Sequence, residues 1–245
     1  MKKILVANLM AMFTIMSSWA QQEEKVVYMD LAHGQRMWND PKQPVPNIGF
    51  SDSTRIQYMN EELSKTLKPY NAKVVFLKED ITYNELKKGH LLILHVPSLH
   101  YSRKEVKDIK KYVRKGGSLL MVMEADYWTD IDKTNVNEII DGFGMQYGTQ
   151  SKDTLFGGYT KKGDITSRKL KVVYELGRSI DGGEPFAFNS QTDEAFGVYK
   201  ELNNGGRLVV LGDAMASLYM TEWRGVAGYL CQEFMDGIYK WLLRN

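Results

Sequence analysis

The stretch GHLLILHVPSLHYSRKEVKDIKKYVRKGGSLLMVMEAD, residues 89–126, decides the fold class of this chain. It contains a nearly continuous apolar run at residues 91–95, which is typical of a strand buried on both faces of a parallel sheet. Ser102 and Glu105 then form a capping-box pattern, which predicts that a helix starts here. A Gly-Gly pair ends that helix and opens a second apolar strand at residues 118–123. Strand, helix and strand in this order predict a right-handed crossover between parallel strands.

The same alternation extends in both directions from this stretch. Apolar runs at residues 25–30 and 72–77 predict two earlier strands, and the run at 207–211 predicts a late one. Helical patterns occupy residues 135–143 and, at the close of the sequence, residues 226–243. The order of these elements predicts an α/β domain with a doubly wound, mostly parallel sheet of the flavodoxin-like type.

Residues 149–204 depart from this pattern. Glycines are frequent there, helical periodicity fades, and short strands are predicted at residues 170–174 and 195–199. We interpret this stretch as a β-rich insertion of the same domain, because a chain of this size can bury one good core. The predicted organisation is therefore a single domain over residues 21–245.

The first residues have the three parts of an export signal. Two lysines form a basic start, residues 4–16 are almost wholly apolar, and residues 17–20 end in small side chains. The apolar run is shorter than the roughly 20 residues that a spanning helix needs, which favours cleavage after Ala20 over a membrane anchor. These features predict a periplasmic or secreted protein with no transmembrane segment once residues 1–20 are removed.

The charge balance gives no reason to expect a polyanionic partner. The whole sequence has a formal net charge of +2, and removing the signal takes away two lysines and no acid. The remaining chain is therefore neutral, and nucleic acid is not an expected partner. The one cysteine, Cys231, lies in an apolar helical pattern and is expected to be a small core residue without an intrachain disulfide.

Three segments carry a resemblance to a known superfamily. Residues 89–126 are similar to the strand, loop, helix and Gly-Gly turn of class I glutamine amidotransferase-like domains. GGRLVVLGDAMASLYM, residues 205–220, resembles their late strand with its Gly-Asp turn. VNEIIDGFGMQYG, residues 136–148, is similar to a segment of non-enzymatic members, including auxiliary domains of gliding-motility transport and intraflagellar-transport proteins. The resemblance covers most of residues 25–148 and 205–245 and implies an amidotransferase-like α/β fold.

The chain departs from the catalytic members of that superfamily at the nucleophile. Those members place a cysteine between glycines at a strand-to-helix elbow and activate it with a downstream His-Glu pair. Here the corresponding strand ends in Met123, Glu124, Ala125 and Asp126, and no histidine follows His100. Since this chemistry requires a thiolate and an oriented base, the resemblance implies a non-catalytic bacterial member without Cys-dependent amidotransferase activity.

Polar residues gather where the predicted parallel strands end. Ligands of such sheets bind beyond the carboxyl ends of the strands. Aromatic side chains in the neighbouring loops suit stacking on a sugar or contact with a protein. The candidate binding crevice comprises Asp30, His33, His95, His100, Tyr101, Glu124, Asp126, Trp128 and Asp213.

Several functions are open for this crevice. A metal site would use four of its residues as oxygen and imidazole ligands: Asp30, His33, His95 and His100. Their spacing matches no tight metal motif, so neither a metal nor another cofactor is predicted. A hydrolase acting on glycans would pair Glu124 or Asp126 with Asp30 or Asp213 as acid and base.

The favoured function is a non-catalytic binding or scaffold domain of an exported protein. Its expected partner is a small molecule, a glycan or an envelope protein. A related alternative, an accessory subunit of an envelope transport or motility complex, follows only from the resemblance to non-enzymatic members. A fold by itself implies no chemistry, and the crevice residues carry the functional hypothesis.

Overall fold

The strands of the chain are short and follow one another closely after residue 146. A computed structural model describes residues 23–35, 37–42, 53–152, 157–218 and 228–244. The strands in these residues are β1 (Lys25–Asp30), β2 (Ala72–Leu77), β3 (Leu91–His95), β4 (Ser118–Val122), β5 (Gln146–Gln150), β6 (Gly158–Thr160), β7 (Lys171–Val172), β8 (Arg178–Asp181), β9 (Glu184–Asn189), β10 (Ala195–Glu201) and β11 (Arg207–Leu211). The helices are α1 (Ser53–Leu67), α2 (Tyr83–Leu86), α3 (Arg103–Arg114), α4 (Val136–Ile140), α5 (Met215–Leu218) and α6 (Cys231–Leu242).

Nine of these strands form one mixed sheet in the order β2-β1-β3-β4-β11-β10-β9-β6-β7, and β5 pairs with β8 in a second, two-stranded sheet. The prediction of a doubly wound, mostly parallel sheet is therefore wrong. Across the described part of the large sheet, the four pairs from β2 to β11 are parallel and the four pairs from β11 to β7 are antiparallel. The β-rich stretch extends this sheet, and the fold is strand-rich and mixed.

The direction of pairing was not readable from the apolar runs. β11 is buried along Leu208–Leu211 and reads as a parallel core strand, yet it pairs in parallel with β4 on one side and antiparallel with β10 on the other. A continuous apolar segment indicates that a strand is buried on both faces of a sheet, but it does not indicate whether the neighbouring strand is parallel or antiparallel. The sequence pattern consequently located β11 and left its second partner undetermined.

Both faces of the sheet are covered, and side chains alternate between them along each strand. In β3, Leu91 and Ile93 belong to the core beneath α1 and α6, whereas Leu92 and Leu94 belong to the core beneath α3 and α4. This alternation has the period of two that strand geometry imposes. His95 is the next residue on the α1–α6 face, and its ring therefore points into protein rather than solvent.

The loops that leave β1, β3, β4 and β11 meet at one end of the sheet, which we call the carboxyl edge. The capping box predicted at Ser102 is confirmed, because its side chain accepts from the Glu105 amide and Glu105 accepts from the Ser102 amide at 2.8 Å. This cap fixes the start of α3 beside the loop that follows β3. Within the described ranges, no helix has the length and apolar character to cross a membrane.

Candidate functional site

A buried carboxylate organises the loop that follows β1. Asp30 accepts hydrogen bonds from the Ala32 amide at 3.0 Å and from the Tyr101 hydroxyl at 2.8 Å. The Nδ1 atom of His33 lies 3.0 Å from the second carboxylate oxygen. Only 1% of Asp30 is exposed, and both partner side chains are also buried. The structure thus brings together three of the predicted crevice residues, inside the protein and away from the solvent.

A second carboxylate binds the other side of the His33 ring. The Nε2 atom of His33 lies 3.2 Å from Glu105, and the ring stacks on Tyr101 with a centroid distance of 3.9 Å. Burial opposes protonation of His33, but the hydrogen bonds and negative charges of Asp30 and Glu105 outweigh it and raise the pKa of this histidine. The two carboxylates thus favour protonation of the ring, and both ring nitrogens are engaged within the protein, which leaves neither of them free for a metal or a substrate.

Two further carboxylates lie fully buried where β4 and β11 end. Glu124 accepts from the amides of Ala125 at 2.8 Å and Ala214 at 2.9 Å. Asp213 accepts from the amides of Met215 and Glu175, both at 2.7 Å. Burial, followed by the negative charge of Asp213, raises the pKa of Glu124 well above its usual range, and burial raises the pKa of Asp213 to about 7.

These two acids join the loops to the strands and do not face a substrate. Both acids are fully buried, and each of their carboxyl oxygens accepts a hydrogen bond from one backbone amide, so neither acid faces solvent. A general acid or base must reach its substrate within hydrogen-bond distance. The hydrolase alternative is therefore unsupported. The carboxyl groups at the ends of β4 and β11 stabilise the neighbouring loops through hydrogen bonds to backbone amides.

Arg178 is a site residue that the sequence analysis missed. Its guanidinium group is buried and donates from Nε to the Glu124 carbonyl at 3.0 Å and from Nη1 to the Gly148 carbonyl at 3.3 Å. It also forms an ion pair with Asp126, whose side chain is 52% exposed. Arg178 lies in β8 without a recognisable motif around it, and burial was its only distinguishing property. It fastens the loop after β4 to the small second sheet.

His95 is buried at the carboxyl end of β3 without a hydrogen-bond partner among the described residues. Its ring contacts the Trp38 ring edge-on with a centroid distance of 5.8 Å. Complete burial lowers the pKa of His95 to about 3, so the ring is neutral at ordinary pH. His95 does not meet Asp30 or His33, and the structure places it in the apolar core.

Replacing His95 with Leu is expected to raise the free energy of unfolding by about 1–3 kcal/mol at neutral pH, because the change removes unpartnered buried nitrogens. The folded pKa of His95 lies below the unfolded value of about 6.5, so its stability penalty grows as the pH falls. The advantage of Leu should therefore increase by up to about 1.4 kcal/mol for each pH unit below 6.5. Urea denaturation at pH 7.5 and pH 5 measures both effects.

His90 provides the matched control for His95. Its Nδ1 atom accepts from the Val26 amide at 3.1 Å, so His90→Leu breaks a hydrogen bond and should lower the free energy of unfolding by about 1 kcal/mol. A loss of stability in His95→Leu at both pH values would show that the His95 ring has polar partners and would contradict the prediction.

The remaining predicted crevice residues are divided between core and surface. Trp128 is buried, whereas His100 and Asp126 are exposed. Leu99 and Tyr127, next to these two polar residues, are each 54% exposed. The two loops are fastened together where the Thr129 hydroxyl donates to the Pro97 carbonyl at 2.7 Å. We call the exposed set Leu99, His100, Asp126 and Tyr127 the carboxyl-edge surface.

Two chemical observations concern catalysis and metal binding. Across the described residues, no group of three or more His, Cys, Asp or Glu side chains has an arrangement that could hold a metal ion. Cys231 is buried at the start of α6, and burial raises the pKa of its thiol to about 12. This thiol is therefore protonated and inaccessible, and it lacks the properties of a nucleophile.

Comparison with known proteins finds one matching family model and several similar solved structures. The family model of the IFT52 GIFT domain matches residues 50–161. The solved mmIFT52 N-terminal domain is similar with a TM-score of 0.69 and 16% identity, over 89% of this chain and 98% of that chain. None of the curated proteins matches the sequence.

Two bacterial glycoside hydrolases contain a similar fold within larger chains. The exo-β-1,4-mannosidase Op5Man5 from Opitutaceae bacterium strain TAV5 has a TM-score of 0.51 and 14% identity, over 90% of this chain and 36% of that chain. The α-L-fucosidase isoenzyme 2 from Paenibacillus thiaminolyticus has a TM-score of 0.54 and 12% identity, over 90% of this chain and 33% of that chain. At these identities the likeness concerns the fold alone.

These comparisons correct the family assignment. The predicted membership of the class I glutamine amidotransferase-like superfamily is wrong, because both the family model and the mmIFT52 structure point to an IFT52-like domain. In the sequence, the recognisable likeness to intraflagellar-transport proteins is confined to residues 136–148. The matching region is wider, since it spans residues 50–161 and includes α1, α3 and the strands between them.

The prediction of export is also wrong. The matching family model and the mmIFT52 structure are those of an intraflagellar-transport protein, which is neither periplasmic nor secreted, and neither of these two matches names an envelope or carbohydrate role. The segment that was interpreted as a signal peptide, residues 1–20, lies outside the described residues. The basic start, apolar run and small residues fitted an export signal, but such a pattern is compositional and is shared by other apolar segments.

Proposed function

We propose that this chain is a non-catalytic scaffold domain that binds a protein partner through its carboxyl-edge surface. One observation carries the proposal. The carboxyl groups of Asp30, Glu124 and Asp213 at this edge are buried and hydrogen-bonded within the protein, while two large apolar side chains of the same edge are exposed. Exposed apolar side chains beside polar ones are the composition of a protein interface.

The exposed apolar residues are concentrated at this edge. Three large hydrophobic side chains are exposed in the described part of the chain, and two of them, Leu99 and Tyr127, belong to the carboxyl-edge surface. Tyr127 also contacts the buried Trp128 ring with a centroid distance of 5.5 Å, which holds an aromatic anchor on a rigid base. Aromatic anchors of this kind dominate the binding energy of many protein interfaces.

The likeness to IFT52 supports a protein rather than a small molecule as the partner. The family model is that of a domain from an intraflagellar-transport protein, and such a protein works by assembly with other proteins. The burial of Asp30, Glu124 and Asp213 beneath the carboxyl-edge surface also disfavours a small-molecule substrate. Small-molecule sites are concave and combine apolar walls with free polar groups.

The test compares the wild-type chain with the double variant Leu99→Glu, Tyr127→Glu. Proteins that co-purify with the tagged wild-type chain from its own host are identified by mass spectrometry, and the complex is then rebuilt from purified components. We expect the double variant to weaken that complex at least about a hundredfold, because it places two charges in the centre of the interface.

Leu230→Glu is the matched control, since Leu230 is the third exposed hydrophobic residue and is bonded through its amide to Lys171 of the edge strand β7. This variant should bind the partner with an affinity within about twofold of the wild-type value, as expected for a position outside the interface. Equal affinity of the wild-type chain and the double variant, with both folded, would overturn the proposal. A glycosidase or amidase activity of the purified chain would overturn its non-catalytic part.

A further inference from the structure

A polar cavity lies at the end of the sheet opposite the carboxyl edge, where β1, β3, β4 and β11 begin. We call it the amino-edge pocket. Its volume is about 490 Å³, within the range of small-ligand sites. The cations in its wall come from separate parts of the chain: Lys25, Lys87, Lys115, Arg207 and Arg244. Among the described residues that line it, none is Asp or Glu.

Lys25 is the most unusual of these cations because it is buried. Only 7% of the residue is exposed, and its Nζ atom donates to the backbone carbonyl of Leu243, just beyond α6. No ion pair joins Lys25 to a carboxylate within the described ranges. Burial, followed by the positive charge of Arg207, lowers the pKa of this lysine. A lysine that is nearly fully buried ordinarily has an anionic partner.

The two arginines of the pocket share one carboxylate outside it. Glu201 lies 3.0 Å from Nε of Arg207 and also pairs with Arg244. One carboxylate cannot neutralise two guanidinium groups, and Lys25, Lys87 and Lys115 add three further charges to the same wall. Glu201 nevertheless fixes the two arginines in place, so that the positive charge of the pocket is preorganised.

We propose that the amino-edge pocket binds a phosphate group, carried by a small phosphate ester or by a phosphorylated side chain of a partner protein. A phosphate has several oxygens and close to two negative charges at neutral pH, so it can accept from several ammonium and guanidinium groups at once. The cavity is larger than a single phosphate needs, which leaves room for the group that carries it. The pocket and the carboxyl-edge surface lie at opposite ends of the sheet, so either proposal can fail without the other.

The experiment titrates the full chain with inorganic phosphate, phenyl phosphate and a phosphoserine peptide, using calorimetry and the NMR signals of His90, which lines the same wall. Lys115→Glu and Arg244→Gln are surface changes and should each weaken binding about tenfold or more, the loss of one charge-assisted contact. Lys25→Met should abolish binding while the fold remains intact. Lys107→Glu, on the exposed face of α3 outside the pocket, is the charge-matched control and should change affinity less than twofold, as surface charges separated from a site are screened by salt.

The arms separate the two sources of phosphate. If phenyl phosphate binds as tightly as the phosphoserine peptide, the ligand is assigned as a small phosphate ester. If only the phosphoserine peptide binds, and its unphosphorylated form does not, the ligand is assigned as a phosphorylated protein. Absence of binding to all three probes at millimolar concentration would overturn the proposal, as would equal weakening by Lys115→Glu and Lys107→Glu. The cations would then serve only to cap the carbonyl ends of α3 and α6. Should Lys25→Met fail to fold, the surface variants still decide the outcome.

Discussion

Replacing Arg178 with Ala is expected to lower the free energy of unfolding by about 3–5 kcal/mol, the cost of removing one partner from a buried polar network. The side chain is 1% exposed and holds two carbonyl groups, those of Glu124 and Gly148, besides its ion pair with Asp126. Without the guanidinium group these carbonyls lose their donor and a cavity remains. Chemical denaturation followed by circular dichroism measures the difference.

The partner residue gives the control for Arg178. Asp126→Asn removes a half-exposed charge and leaves both carbonyl contacts of Arg178 in place, so its cost should stay below about 1 kcal/mol, as for other exposed ion pairs. We therefore expect Arg178→Ala to lower the free energy of unfolding much more than Asp126→Asn does. If Asp126→Asn cost as much as Arg178→Ala, the ion pair rather than the backbone contacts would hold this loop.

Replacing Asp30 with Asn is expected to lower the free energy of unfolding by about 3 kcal/mol or more at pH 6, because it removes one of the two anions that enclose the His33 cation. The folded pKa of His33 is raised above its unfolded value of about 6.5. The stability that this histidine contributes is therefore fully present below pH 6.5 and is lost as the pH rises through the folded pKa.

The cost of Asp30→Asn should accordingly shrink as the pH rises, and urea denaturation at pH 6 and pH 9 measures the change. Tyr101→Phe is the control, since it removes the hydroxyl 2.8 Å from Asp30 without changing a charge. Its cost should be about 1 kcal/mol and nearly the same at both pH values. A cost of Asp30→Asn that does not depend on pH would show that His33 is neutral in the folded protein.

The positions of several strands could be predicted from the sequence, but the order and direction in which they pair could not. The strands at residues 91–95 and 207–211 are observed as predicted, because long apolar runs between polar turns have few other uses. The helix predicted at 135–143 is divided into α4 and a 3-10 turn over Asp141–Phe143. The antiparallel pairing of β10 with β11, which joins the two halves of the sheet, could not be predicted because it depends on tertiary contacts and leaves no local sequence pattern.

The site was harder to predict than the fold because burial decides the role of a polar residue. Asp30, His33 and Tyr101 do meet, as the strand ends suggested, yet they form a closed network. Glu105 was recognised as a helix cap, and its second contact, with His33, links residues that are distant in sequence. Arg178 gave no signal at all, since a lone arginine in a strand pattern is most often exposed. The exposure of Leu99 and Tyr127 could not be predicted either, because a loop position does not determine how much of a side chain reaches solvent.

The position of β11 has a consequence for how the chain acquires its structure. This strand lies between β4 and β10, so the two halves of the large sheet are joined by a segment that follows β4 by more than eighty residues. During synthesis, β4 keeps an unpaired edge until β11 has left the ribosome, and an unpaired apolar edge invites pairing with another chain. The non-local contact also slows folding, because loop closure must precede it. A nascent chain that stalls before β11 would thus present an open, aggregation-prone sheet to the chaperones around it.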